Sequence, residues 1–186
     1  MGLAPGEPKR FFFTTTARPA VAPYLSAGRA LNPRYDFEMD LPQRRKLPHT
    51  PPPWVQPGSI FFITICCTPR DRNQLCHPEV ASRIFETIAF RQEQRLWYVH
   101  ILLLMPDHVH ALMSFSPEKA MQFTIAQWKE YVAKEVGIQW QRDFFDHRLR
   151  SSESSQAKAQ YIRENPVRKG LVADPKEWPY VWLPDR

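Results

Sequence analysis

The stretch Leu96-Trp97-Tyr98-Val99-His100-Ile101-Leu102-Leu103-Leu104-Met105-Pro106-Asp107-His108-Val109-His110-Ala111-Leu112-Met113-Ser114-Phe115 decides the fold. Two apolar and aromatic runs flank Pro106-Asp107, a turn-forming pair. The stretch therefore reads as two strands, Leu96–Met105 and His108–Phe115, folded into a hairpin. Side chains alternate along a strand, so His108 and His110 share one face and Val109 points to the other. The unbroken apolar run Leu102–Leu104 and Val109 make the second strand a central one, with the histidine pair on its more exposed side.

Working outward, Ile60–Thr68 is β-branched and aromatic between Gly58 and Pro69, which predicts a buried strand. Pro78 suits the first turn of a helix, and Val80, Ile84, Phe85 and Ile88 recur at helical spacing to about Arg95. After the hairpin, Ser116-Pro117-Glu118 opens a helix that runs to Val136 and ends at Gly137. Ile138–Trp140 is the expected fourth strand, and Phe144–Arg150 is ambiguous. Ser152–Glu164 is a helix with Ser151 or Ser152 as its N-cap, stopped by Pro166 and Gly170. An aromatic end with Trp178, Tyr180 and Trp182 packs back onto the domain. The order β-α-β-β-α-β-α gives the α+β class: a ferredoxin-like β-α-β-β-α-β sandwich with an extra C-terminal helix.

Proline divides the chain. Eleven of its 19 prolines fall in residues 1–57, which lack any sustained period. We expect a proline-rich, partly disordered basic arm over 1–57 and one domain over 58–186, long enough to bury a core without staples. Residues 9–27 only faintly suggest a targeting peptide. An unstructured extension is the plainer reading, with Met39 as an alternative start. The net charge of +6 makes an anionic partner plausible, nucleic acid first. Arg44-Arg45-Lys46 is a compact basic cluster, either a solvated linker or an arm that grips phosphates.

Cys66 and Cys67 are adjacent on a strand, point to opposite faces and cannot make a C-x-x-C half-site. With Cys76 they read as reduced thiols in a reducing compartment rather than a disulfide framework. No apolar run reaches the length of roughly 18 residues that a membrane span requires.

Two imidazoles on one strand face are a ready pair of metal ligands, although two polar residues on a solvated face are the plainer alternative. Tyr161 and Asn165 are one helical turn apart, so they share a face. Tyr161 offers a hydroxyl nucleophile and Asn165 a carbonyl oxygen for a hard cation. From spacing alone, Tyr161 is equally a half-buried packing residue and Asn165 a helix-end signal before Pro166.

Together, Met105-Pro106-Asp107-His108-Val109-His110 and Tyr161-Ile162-Arg163-Glu164-Asn165-Pro166-Val167-Arg168-Lys169-Gly170-Leu171-Val172 resemble the HUH single-tyrosine nucleases. The chain is most similar to the transposases associated with repetitive extragenic palindromes (REPs), relatives of the small insertion-sequence transposases. Trp140–Arg150 and the segment Arg44–His49 support the resemblance, which covers most of residues 43–182. Residues 1–40 match nothing in the pattern.

The resemblance implies that His108, His110 and Asn165 hold a divalent ion, Mg²⁺ or Mn²⁺. It implies that Tyr161 attacks the phosphorus of single-stranded DNA at a hairpin, leaving a 5′-phosphotyrosine and a free 3′-hydroxyl. Arg44, Arg45, Lys46, Lys158, Arg163, Arg168 and Lys169 would grip the DNA backbone. It further implies a bacterial, cytoplasmic, nucleoid-associated enzyme that works as a monomer rather than a helix-swapped dimer. The alternative in another class is a catalytically silent or domesticated protein that binds repeat hairpins. A structural metal protein fits poorly, because the ligand set is too thin to close a tetrahedral site. His147 could be a further ligand or proton shuttle, but more simply a hydrogen-bonded packing element. His100 is expected to be a core or edge residue. Trp128, Trp140, Trp178 and Trp182 are expected in the core, with base stacking open to one or two of them.

Overall fold

The computed structural model describes residues 58–150 and 153–184. The proline-rich segment 1–57, with Arg44, Arg45 and Lys46, lies outside the described residues. Five strands form one sheet in the order β4-β1-β3-β2-β5: β1 Phe61–Cys66, β2 Trp97–Met105, β3 His108–Phe115, β4 Phe145–Arg148 and β5 Val181–Trp182. The helices are α1 Pro78–Glu93, α2 Met121–Val136, α3 Ser155–Arg163 and α4 Asn165–Arg168. The first four strands and two helices give the ferredoxin-like β-α-β-β-α-β order. Strand β3 lies between β1 and β2, antiparallel to both. The expected hairpin is present, with Met105 opposite His108 across Pro106-Asp107.

Residues directly opposite in an antiparallel pair share a face. One face therefore carries Ile63, Ile65, Val109, Ala111, Met113 and Leu102, all buried. Helices α1 and α2 cover it: the Trp97 indole donates to the Ile88 carbonyl of α1 and meets Trp128 of α2 edge to face at 6.0 Å. Trp128 in turn donates to Thr87 Oγ1, so its buried N–H is satisfied. The opposite face carries Phe62, Thr64, Cys66, His108, His110 and Leu112. Helix α3 packs on this face against β2 and β3 and buries Ile162 completely.

Five local expectations change. The fourth strand is Phe145–Arg148, paired with β1, whereas Ile138–Trp140 contributes one bridge, Cys67 to Trp140. Helix α2 begins at Met121 rather than Ser116, because the Ser116 hydroxyl accepts the Glu118 N–H and holds a turn there. Ser154 caps α3, accepting from the Ala157 N–H. Pro166 does not end the helical path but sits in the first turn of α4, where its missing N–H costs nothing. The aromatic end forms a fifth strand on β2, fixed by the Trp178 indole donating to the Leu104 carbonyl.

The expected end of α2 is observed. Gly137 ends α2 in the left-handed region at φ 73°. All three cysteines are free, with Cys67 buried and Cys66 on the other face. Burial pushes the Cys67 thiol up to about 12. Among the described residues no helix is long and apolar enough to cross a membrane.

Helix α3 spans nine residues and presents Ile162 to the sheet, so tertiary packing rather than propensity must hold it. Ile162→Ala is expected to cost about 2–5 kcal/mol in urea denaturation and to speed amide exchange in α3. A loss below about 1 kcal/mol would show that α3 is held in another way.

Candidate active site around the paired histidines

Strand alternation brings His108 and His110 together as expected. Their Nε2 atoms are 3.2 Å apart and their rings are nearly perpendicular, at 82°. The Nδ1 atoms face outward and are anchored. Asp107 Oδ1 accepts from His108 Nδ1 at 2.6 Å, and the Thr64 hydroxyl bonds His110 Nδ1 at 2.9 Å. Thr64 lies opposite His110 in the β1–β3 register, so its hydroxyl meets the ring. A hydroxyl can donate or accept, so Thr64 holds either tautomer of His110.

Asp107 is buried and anchored on every side. Its Oδ2 accepts from the Asp71 N–H at 2.9 Å and meets Arg70 Nε at 3.0 Å. Burial alone would raise its carboxyl. The His108 and Asp71 hydrogen bonds, with the charges of His108 and Arg70, overcome that and hold it down to about 2. The ionised carboxylate only accepts, which commits the His108 Nδ1–H to it, so the neutral tautomer selected is the one whose lone pair is on Nε2. Burial, then the charges of His108, Arg168 and Arg70, push the His110 imidazolium down to about 3. His110 is therefore neutral near pH 7.

This donor set fits a divalent ion. Zinc–imidazole bonds of about 2.0–2.1 Å place two cis nitrogens roughly 3 Å apart, close to the observed separation. Anchored Nδ1 atoms are the usual support of ligating histidines. Among the described residues, no group of three or more His, Cys, Asp and Glu could hold a metal. Among the described residues, a third ligand beside this pair would therefore have to come from outside those four residue types, such as a neutral oxygen. Asn165 has one, but no contact joins it to either imidazole. Its Nδ2 donates to the Tyr161 and Ile162 carbonyls, each at 3.2 Å, and closes the end of α3.

Tyr161 lies on the histidine face of the sheet and is 45% exposed. Phe62 joins it to the pair: this ring stacks on His110 at 5.4 Å and meets Tyr161 edge to face at 6.4 Å. The Arg168 guanidinium lies 4.0 Å from the Tyr161 ring centre and also donates to the Tyr161 carbonyl. Lys158 Nζ lies 5.5 Å from the same ring. Lys169 lines a cavity of about 50 Å³ with Arg70, Asp71, Asp107 and His108. Of the expected cations, Lys158, Arg168 and Lys169 thus surround the site. Arg163 is exposed and has no ion pair among the described residues.

Sequence reading missed Phe62, Thr64, Arg70 and Asp107. The adjacency of Asp107 to His108 was a usable signal; the other three reach the site through strand register and loop docking. His147 is a hydrogen-bonded element, its Nε2 meeting Glu153 Oε1 at 3.0 Å. His100 is partly buried and bonds Ser114 at 3.1 Å.

The family model described as "Transposase IS200 like" matches residues 61–165, a span that runs from the first strand through the histidine pair and Tyr161 to Asn165. The chain belongs to this family. It is 28% identical over 144 residues to the "Putative REP-associated tyrosine transposase" of Haemophilus influenzae, covering 66% of this chain and 78% of that protein. It is 26% identical over 129 residues to the REP-associated tyrosine transposase of Escherichia coli, covering 66% and 75%. A solved structure of a REP-associated tyrosine transposase bound to a REP hairpin superposes with a TM-score of 0.59 at 19% identity, covering 70% of this chain and 80% of that one. That likeness confirms the fold of this IS200-like transposase.

Two titrations at the site contribute to the acid limb of stability. Unfolded histidine takes up a proton below about pH 6.5, whereas folded His110 resists it to about 3, so stability falls across that interval. Asp107 contributes stability that is present above about pH 4 and lost as the pH falls toward 2. In chelator, the unfolding free energy should fall by about 1.4 kcal/mol per pH unit from His110 alone. His110→Gln should remove that slope between pH 6 and 4. An unchanged slope, followed by urea titration, would contradict the assignment.

Proposed function

We propose that this IS200-like transposase cleaves and rejoins single-stranded DNA at hairpins, with Tyr161 as the nucleophile. The observation that carries the reading is the contact chain His110–Phe62–Tyr161, which sets an exposed phenol beside two convergent imidazoles. The relatives named as REP-associated tyrosine transposases, and the similar fold seen with a REP hairpin, support the class of substrate.

In the reaction, the Tyr161 oxygen attacks the scissile phosphorus. The Tyr161 O–P bond forms, and the bond from phosphorus to the 3′-oxygen of the preceding nucleotide breaks. The phenol proton is lost and the departing oxygen becomes a 3′-hydroxyl, which leaves a 5′-phosphotyrosine. The ester retains the bond energy, so a 3′-hydroxyl can reverse the step on another strand without ATP. Arg168, Lys158 and Lys169 hold the phosphate against the phenol, and most of the acceleration comes from positioning and charge. His108 and His110, with Asn165 Oδ1 as a third donor, would hold Mg²⁺ or Mn²⁺, imidazole favouring the latter. When bound, the ion supplies positive charge against the phosphate oxygens.

The contact between Phe62 and Tyr161 within one chain supports a monomer acting in cis. Arg44–Lys46, outside the described residues, would serve as a basic arm along the DNA backbone. Such a chain would work at the nucleoid.

The test is cleavage of labelled single-stranded hairpin oligonucleotides with Mn²⁺ or Mg²⁺. Tyr161→Phe is expected to abolish cleavage while retaining binding within about threefold. His108→Ala and His110→Ala should reduce it at least about 100-fold, and chelator should do the same. Equal cleavage by Tyr161→Phe would remove the nucleophile. Binding by the wild type with no cleavage would favour the silent repeat-binding alternative.

A further inference from the structure

Phe145 is 53% exposed on the edge strand β4. A single exposed aromatic needs no explanation in itself. The surroundings of this one do. Phe145 lies opposite Thr64, which lies opposite His110, so all three share the face of the sheet that carries the histidine pair. Phe145 meets Phe62 edge to face at 6.3 Å, and Phe62 meets Tyr161 the same way at 6.4 Å. Lys158 Nζ stands 5.3 Å from the Phe62 ring centre and 5.5 Å from that of Tyr161.

Phe62 is already occupied, stacked on His110 and covered by Lys158. The more exposed rings of the trio are Phe145 and Tyr161, each flanking it. The four tryptophans first considered for base stacking are not free to do so: Trp128, Trp178 and Trp182 are buried, and Trp140 is half-buried against Trp128 at 5.8 Å. The surface around Phe62 is therefore aromatic at Phe145 and Tyr161 and cationic at Lys158 and Arg168. An unpaired nucleotide has that chemistry, an aromatic base joined to an anionic phosphate. A duplex keeps its base faces covered and cannot use such a ring.

We propose that Phe145 is a stacking subsite for an unpaired nucleobase next to the phosphate that Tyr161 attacks. The inference rests on the reading of Tyr161 as the nucleophile and adds a contact that orients the strand across β4. Strand β4 is an edge and Phe145 is exposed, so replacement leaves the core intact.

The experiment uses the full chain and a hairpin oligonucleotide that the wild type cleaves. Affinity is read by fluorescence anisotropy in the Tyr161→Phe background, with an abasic site walked across the nucleotides flanking the cleaved phosphate. Phe145→Ala should weaken binding about 5- to 150-fold, the range of one base stack. Phe145→Trp should restore it. One abasic position should cost the Phe145 protein a similar factor and cost the Ala variant nothing. Unchanged affinity in Phe145→Ala, or an abasic penalty that is the same with and without the ring, overturns the subsite. Covalent adduct formation with Tyr161 restored separates the two claims. If adduct persists at saturating DNA while the Ala variant binds normally, only the stacking subsite fails. If the wild type forms no adduct, both readings fail together.

Discussion

Strand β3 is hydrogen-bonded on both sides, to β1 and to β2, and it cannot slip by one residue without turning Val109 and Ala111 out of the core. That register lock is what the site depends on. It fixes His108 and His110 on the face away from α1 and α2, with Thr64 opposite one of them. The burial of Val109 and the placement of the histidine pair on the opposite face are one event seen from two sides of the sheet. The two-residue turn then sets Asp107 against His108, and the β1–α1 loop docks on the same turn through the Gln74 N–H to the Pro106 carbonyl and the Asp71 N–H to Asp107. Both imidazoles are thereby anchored at Nδ1 and converge at Nε2.

The tyrosine is held more lightly. Helix α3 is short, and its grip on the sheet runs through Ile162 and the ring of Phe62. At its end, Asn165 and Arg168 bind carbonyls of the last turn, so two residues expected at the reaction centre also close the helix. In the proposed reaction, a nucleophile on a short helix beside anchored histidines suits strand transfer, in which the covalently held DNA end must find a second strand.

Most of this was legible where the sequence carries a strong local signal. The hairpin was readable because Pro106-Asp107 separates two long apolar runs, and the shared face of the histidines follows from strand period alone. Tyr161 was visible only in combination with them. The fourth strand was misplaced because Ile138–Trp140 is the more apolar segment, whereas the real strand Phe145–Arg148 is polar, short and on an edge, where burial leaves little imprint. The fifth strand has two residues, below any periodicity. Thr64, Phe62 and Arg70 carry no local mark: they become site residues through register with β3 and docking of a loop, which are tertiary facts.

The central claim is that one particular phenol becomes covalently attached to DNA. The most direct measurement is mass spectrometry of the protein after reaction with a single-stranded hairpin, followed by nuclease and protease digestion. The account predicts a 5′-linked nucleotide phosphate on the peptide containing Tyr161, with the released strand ending in a 3′-hydroxyl. Attachment at Tyr98, Tyr131 or Tyr180, or a 3′-phosphate linkage, would contradict it.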